Sequence, residues 1–200
     1  FSFSNKTDSG LTIGYTVEME SDAGAGGIDE SSLSISGGFG KLVLGQNDGV
    51  SDNYAVEAED LVAEESQPTL ASATIALDSD MSLDQTDDNK ISYHLPAMGG
   101  FAAGISFEDS GQAGTSDMTS YGVKYTMEAA GNTVTIGGAT ATEDNATLDK
   151  DSQNLYAKVV SGNLSFVVSQ SSTEASDEDI QANAAGVSYK MANGMVLGAY

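Results

Sequence analysis

Apolar and polar residues alternate with a period of two along most of this chain. The clearest case places Leu11, Ile13, Tyr15, Val17 and Met19 on one side and Thr12, Gly14, Thr16, Glu18 and Glu20 on the other. That spacing defines a strand with one greasy and one wet face. The pattern recurs as Leu33 and Ile35, as Leu42 and Leu44, and as Ile91, Tyr93 and Leu95. Phe101 to Phe107, Tyr121 to Met127, Val134 with Ile136, Leu155 to Val159, Leu164 to Val168 and Val187 to Met191 repeat it. With Phe1 and Phe3 at one end and a run from Met195 at the other, the pattern predicts about twelve strands. Both terminal runs are shorter than the roughly 9–11 residues of a membrane strand, so each is expected to be part of a longer strand of a longer protein.

The connections alternate too. Tight turns fall near Asp8, Phe39, Met98, Ala130, Gly162 and Asn193, and longer polar loops fall at 21–27, 46–89, 110–117, 143–152 and 174–181. In an up-and-down meander this parity puts every tight turn on one rim and every long loop on the other, which is the pattern of an outer-membrane barrel. A Greek-key sandwich is not expected to keep it. The stretch 46–89 breaks the rhythm: connections beyond about 12–15 residues are usually functional or disordered. Within it, Asn53 to Glu65 has helical spacing, with Asn53 or Asp52 as the cap and Ala55, Ala58, Leu61 and Val62 as a narrow apolar stripe. The opposite side carries Glu57, Glu59, Asp60, Glu64 and Glu65. Such a segment needs a wall to lean on and water beyond it, so it is expected to fold into the lumen of a wide barrel.

Charge agrees with this phase. Lys41, Lys124, Lys158 and Lys190 each fall opposite the apolar positions of their strands, as does Lys6, while Lys90 and Lys150 sit at loop edges. A lysine facing lipid at the bilayer midplane costs about 2–4 kcal/mol, so these belong to the inner face. Gly14, Ser92, Gly104, Gly122 and Ser188 share that face, which makes it too polar and too small for a packed core and suits a water-filled interior.

Composition sets the outer bounds. Thirty acidic residues against seven lysines give a formal charge of −23, which disfavours nucleic acid as a partner. There is no cysteine, so disulfides and thiolate chemistry are excluded. No run reaches the roughly eighteen apolar residues of a membrane helix.

The run Phe39 to Gly49 (FGKLVLGQNDG), the long acidic loop, and Lys90 to Asp109 (KISYHLPAMGGFAAGISFED) together resemble the fifth strand, constriction loop and sixth and seventh strands of general bacterial porins. Low arginine and high acidity resemble porins of marine alphaproteobacteria. The resemblance implies an all-β, antiparallel up-and-down transmembrane barrel, about twelve of sixteen strands being present over 1–200 and 46–89 forming the constriction loop. It further implies a homotrimer in the Gram-negative outer membrane, in contact with its lipid, passing small hydrophilic solutes and ions without catalysis. In the resembling proteins a short acidic motif marks the loop tip and arginines line the pore wall; this chain lacks the first and has lysines for the second.

The expected waist therefore sets Glu57, Glu59, Asp60, Glu64 and Glu65 against Lys41, Lys124, Lys158, Lys190 and His94. Opposed fixed charges across a narrow opening orient polar solutes and screen ions; the excess of acid favours cations. His94, the one histidine, cannot form a metal site or a catalytic triad with what surrounds it in sequence, and reads as a lumen-lining residue. No cofactor is expected, although Asp78, Asp80 and Asp84 form a weak calcium candidate without the glycine and terminal glutamate of an EF-hand. The rival reading is a soluble extracellular β-rich adhesion or surface-layer module whose acidic loops are held by calcium.

Overall fold

A computed structural model describes residues 1–19, 28–61, 89–109, 117–144, 149–175 and 178–200. The first six strands are β1 (Ser2–Lys6), β2 (Thr12–Met19), β3 (Ile28–Gly37), β4 (Gly40–Gln46), β5 (Asn89–His94) and β6 (Phe101–Glu108). The other six are β7 (Asp117–Ala129), β8 (Asn132–Asp144), β9 (Lys150–Ser161), β10 (Leu164–Ala175), β11 (Glu178–Lys190) and β12 (Val196–Ala199). They form one sheet in which spatial order equals chain order, each strand antiparallel to the next. This is the wall of an up-and-down barrel, and the twelve strands match the count expected from alternation.

Register keeps each predicted face intact across neighbours. Tyr125, Ile136, Ala157, Val168 and Ala185 follow one another outward across β7 to β11, while Gly122, Ala139, Asn154, Ser171 and Ala182 do so inward. The outer row remains open to its surroundings: Leu155, Phe107, Tyr121 and Phe166 are all exposed. A soluble sandwich would bury that face, so its exposure favours a barrel in lipid over a soluble module.

The tight turns fall where alternation stops. Ala130 (φ 51°) and Gly131 (φ 79°) both take left-handed backbone between β7 and β8, as a two-residue hairpin that follows the strand twist requires. At the β3–β4 turn the Tyr93 hydroxyl donates to the Phe39 carbonyl at 2.6 Å, fastening β5 to the rim.

The wall is uneven in height. Strands β4 to β6 have 7, 6 and 8 residues, whereas β7, β8 and β11 have 13 each. By register the extra length lies on the tight-turn side: Glu108 of β6 faces Met118, the second residue of β7, whereas Phe101 faces Tyr125, four residues before β7 ends. Toward the long-loop side outward positions become polar, and Gln170 donates to Asn183 at 3.0 Å.

One local expectation is corrected. The helix expected over residues 53 to 65 does not continue through 55–61, and 62–65 lie outside the described residues. A five-residue helix α1 (Val50–Tyr54) comes earlier, extended backbone begins at Ala55 (ψ 154°), and a 3₁₀ turn occupies Glu59–Leu61. Gly49 is the N-cap, and Asn53, expected there, instead donates from Nδ2 back to the Gly49 carbonyl at 2.8 Å. Helix fails beyond Tyr54 because the Val56 N–H goes to a wall side chain, Asn154 Oδ1 at 3.2 Å, and so is not available to a carbonyl one turn back.

Candidate functional site: a loop docked on the polar face

Residues 47–61 leave the end of β4 and cross the polar face of the sheet. Helix α1 packs on β6, β7 and β8, and the 3₁₀ turn packs on β10 and β11. The wall is shaped for them. A Cβ on Gly122 would overlap the Cβ and Cγ of Tyr54, and one on Gly186 would come within 2.7 Å of the Ala58 carbonyl. At Gly104 it would lie 3.2 Å from Val50 Cγ2 and 3.1 Å from His94 Nδ1. Two of the small inner residues that the alternation pattern assigns to an open lumen, Gly104 and Gly122, are thus seats for the loop.

Hydroxyls and one amide of the wall receive its backbone. The Val50 N–H donates to Ser106 Oγ at 3.0 Å and the Ser51 N–H to Ser120 Oγ at 3.1 Å, satisfying two donors that a helix start leaves unpaired. Ser106 and Ser120 are themselves hydrogen-bonded across the β6–β7 register. Two small apolar clusters complete the contact. Val50 and Tyr54 pack with Ala139 and Ala141, and Ala58 and Leu61 pack with Tyr156 and Val167.

The basic side of the site gathers on Tyr54. Its ring stacks on His94, and Lys124 Nζ lies 5.0 Å from its centroid. The Tyr54 hydroxyl and His94 Nδ1 are 3.4 Å apart. Burial pushes the Tyr54 phenol above its ordinary pKa, so it stays neutral at physiological pH. Lys41 is the register partner of His94 on β4. Lys158 and Lys190 stand nearer the tight-turn rim, opposite Thr135 and Val196 in register.

On the acidic side, Glu57 turns to the wall and accepts from the Ser171 hydroxyl at 3.1 Å through Oε1. Asp60 is exposed, and its Oδ2 accepts the Glu57 N–H at 2.6 Å, which tightens the entry to the 3₁₀ turn. Glu59 opens that turn. Glu64, Glu65 and the calcium candidates Asp78, Asp80 and Asp84 lie outside the described residues.

Sequence reasoning placed Lys90 at a loop edge. It lies within β5, facing inward, with Nζ 3.0 Å from Glu108 Oε2, and both side chains are almost fully buried at 1% and 5% exposure. The register Lys90 to Glu108 between β5 and β6 makes the pair, and a phase count from Ile91 and Phe107 would have shown both on the inner face. Asn154 and Ser171 were also missed. Their only sequence signal is inner-face parity opposite Leu155 and Gln170.

A wall of antiparallel strands with an exposed apolar exterior, a polar interior and a loop laid across that interior defines an outer-membrane barrel of the porin type. The sequence matches the Gram-negative porin family over residues 1–200, and the chain belongs to that family. Its place is accordingly the Gram-negative outer membrane. No curated protein sequence matches it significantly.

Among solved structures it is similar in fold to an anion-selective porin from Comamonas acidovorans, with TM-score 0.62 and 21% identity, covering 96% of this chain and 63% of that one. It is likewise similar to outer-membrane expressed OmpT of Vibrio cholerae, with TM-score 0.61 and 14% identity over 96% of this chain and 62% of that one. The in-vitro folded trimer form of the Vibrio protein matches with TM-score 0.51 and 15% identity, covering 94% and 74%. The chain thus spans under two thirds of the length of the first two.

Proposed function

We propose that this chain supplies the wall and the waist of a water-filled channel through which small hydrophilic solutes and ions diffuse passively, within a homotrimer. The observation that carries this is the docked segment 50–61, which narrows the polar face of the sheet. A packed core would fill that face with large apolar side chains, whereas here it bears lysines, serines and glycines. The trimer form of the fold-similar Vibrio OmpT supports the assembly.

The finer reading is a preference for cations. A formal charge of −23 raises the local cation concentration at the mouth, and Asp52 and Asp60 are exposed on the docked segment. Lys41 and Lys124 oppose this at the waist, so the preference is expected to be modest. Anion selectivity belongs to the Comamonas protein as named, and Lys124 over Tyr54 is the feature here that would favour it.

The test is single-channel recording of the full-length, detergent-extracted protein in planar bilayers, with the reversal potential measured under a salt gradient. Stepwise conductance in threes with a cation-directed reversal potential supports both readings. An anion-directed potential removes the cation preference alone, and a protein that never inserts removes the channel.

A further inference from the structure

Between α1 and the 3₁₀ turn the docked segment passes through Val56 and Glu57, and there Asn154 on β9 pairs with its main chain as a neighbouring strand would. Its side chain is fully buried. Oδ1 accepts the Val56 N–H at 3.2 Å and Nδ2 donates to the Val56 carbonyl at 3.4 Å. The second Nδ2 hydrogen goes to Ser171 Oγ at 3.0 Å, the register partner of Asn154 on β10. Ser171 then donates its own hydrogen to Glu57 Oε1 at 3.1 Å.

The direction of this relay is fixed. An amide has two donor hydrogens on one atom and an acceptor on the other. Turning it over would set Nδ2 against the Val56 N–H and Oδ1 against the Val56 carbonyl, and it would strip Ser171 of its donor. Ser171 accepts from Asn154 and so has its hydrogen left for the carboxylate. One buried amide therefore pairs both main-chain groups of Val56 and orients the hydroxyl that holds Glu57.

We infer that Asn154 is a positioning residue of the waist, acting through Val56 on the height of the loop and through Ser171 on the place of the Glu57 charge. This rests on the channel reading. The two effects separate by mutation: removing Asn154 frees both Val56 and Ser171, whereas removing the Ser171 hydroxyl leaves Val56 paired and takes from Glu57 the bond it receives through Ser171.

The experiment compares full-length wild type, Asn154→Ala, Ser171→Ala and Ser152→Ala in bilayers. Ser152 is a buried serine of the same strand that bonds to Thr173 and serves as a control. Asn154→Ala is expected to replace the steady open level by several sublevels with higher current noise and to shift the reversal potential. Ser171→Ala is expected to shift the reversal potential with the level kept, and Ser152→Ala to match wild type. Hydrogen exchange at the Val56 amide in detergent reads the docking without any current, and two lost bonds should lower its protection in Asn154→Ala by roughly tenfold or more.

Wild-type currents and wild-type Val56 protection in Asn154→Ala overturn the inference. Should that variant fail to insert, an unchanged reversal potential in Ser171→Ala overturns it equally. A wild type that passes no current overturns the channel reading and the waist role with it, while Val56 protection still reports whether Asn154 docks the loop, so the two failures are told apart.

Discussion

The rings of Tyr54 and His94 lie nearly parallel, 13° apart with centroids separated by 5.9 Å, and so join the docked loop to β5 through an aromatic face. Lys124 is drawn to the same tyrosine, at 5.0 Å from its centroid. A cation over an aromatic face gains about 0.5–2 kcal/mol, depending on how far it is desolvated. Tyr54→Ala removes both contacts and leaves the ammonium in open lumen. The expected outcome is a reversal potential displaced toward anions, and Lys124→Met should displace it toward cations. Equal and unchanged potentials in the two variants would show that this cluster does not sense permeating ions.

Gly122 tests the seat directly. A side chain there meets Tyr54, and overpacking of this kind costs about 1–3 kcal/mol. Gly122→Val should push α1 off the wall into the lumen and lower single-channel conductance while the strand signal in circular dichroism stays the same. Gly38 has nothing near its missing Cβ and no left-handed backbone, so Gly38→Ala is the matched control and should conduct as wild type does.

The buried pair Lys90 and Glu108 should behave asymmetrically. Breaking a buried ion pair by removing one partner costs about 3–5 kcal/mol, whereas replacing both by apolar groups is often neutral. Heat denaturation of the detergent-solubilised protein is expected to move far down in Glu108→Leu and to recover much of that loss in the double variant Lys90→Met with Glu108→Leu. A double variant as weak as the single one would mean that the rest of their surroundings needs the charges.

At the β7–β8 turn, Ala130 holds left-handed backbone that costs an L-residue roughly 1–2 kcal/mol. Asn-Gly is the favoured pair for that geometry. Ala130→Asn should therefore raise the unfolding temperature without altering conductance, since the turn is remote in sequence from the docked segment. A lower unfolding temperature would refute the strain argument.

The strands could be read from the sequence because lipid and water each impose one face, and a period of two leaves little freedom in phase. Leu155 outside and Asn154 inside follow from that alone. The loop could not be read this way. Ala55, Ala58 and Leu61 have helical spacing, yet the same stripe serves an extended stretch followed by a 3₁₀ turn, and the choice between them is made by Asn154, 98 positions away. Lys90 was misplaced for a simpler reason. Its strand begins only one residue earlier, at Asn89, so it reads as part of the loop, although the alternation of Ile91 and Tyr93 carried one position back puts it on the inner face.

The wall grips this loop by its main chain. Val50 N–H, Ser51 N–H and both polar groups of Val56 are held by side chains that belong to other strands. Any amino acid except proline presents those same groups. Asp52, whose side chain takes no part in these four bonds, can therefore change sign or size while they are kept. On the channel reading proposed above, the wall is a fixed frame carrying an exchangeable filter, and new permeation properties are within reach of single substitutions without the barrel having to fold differently.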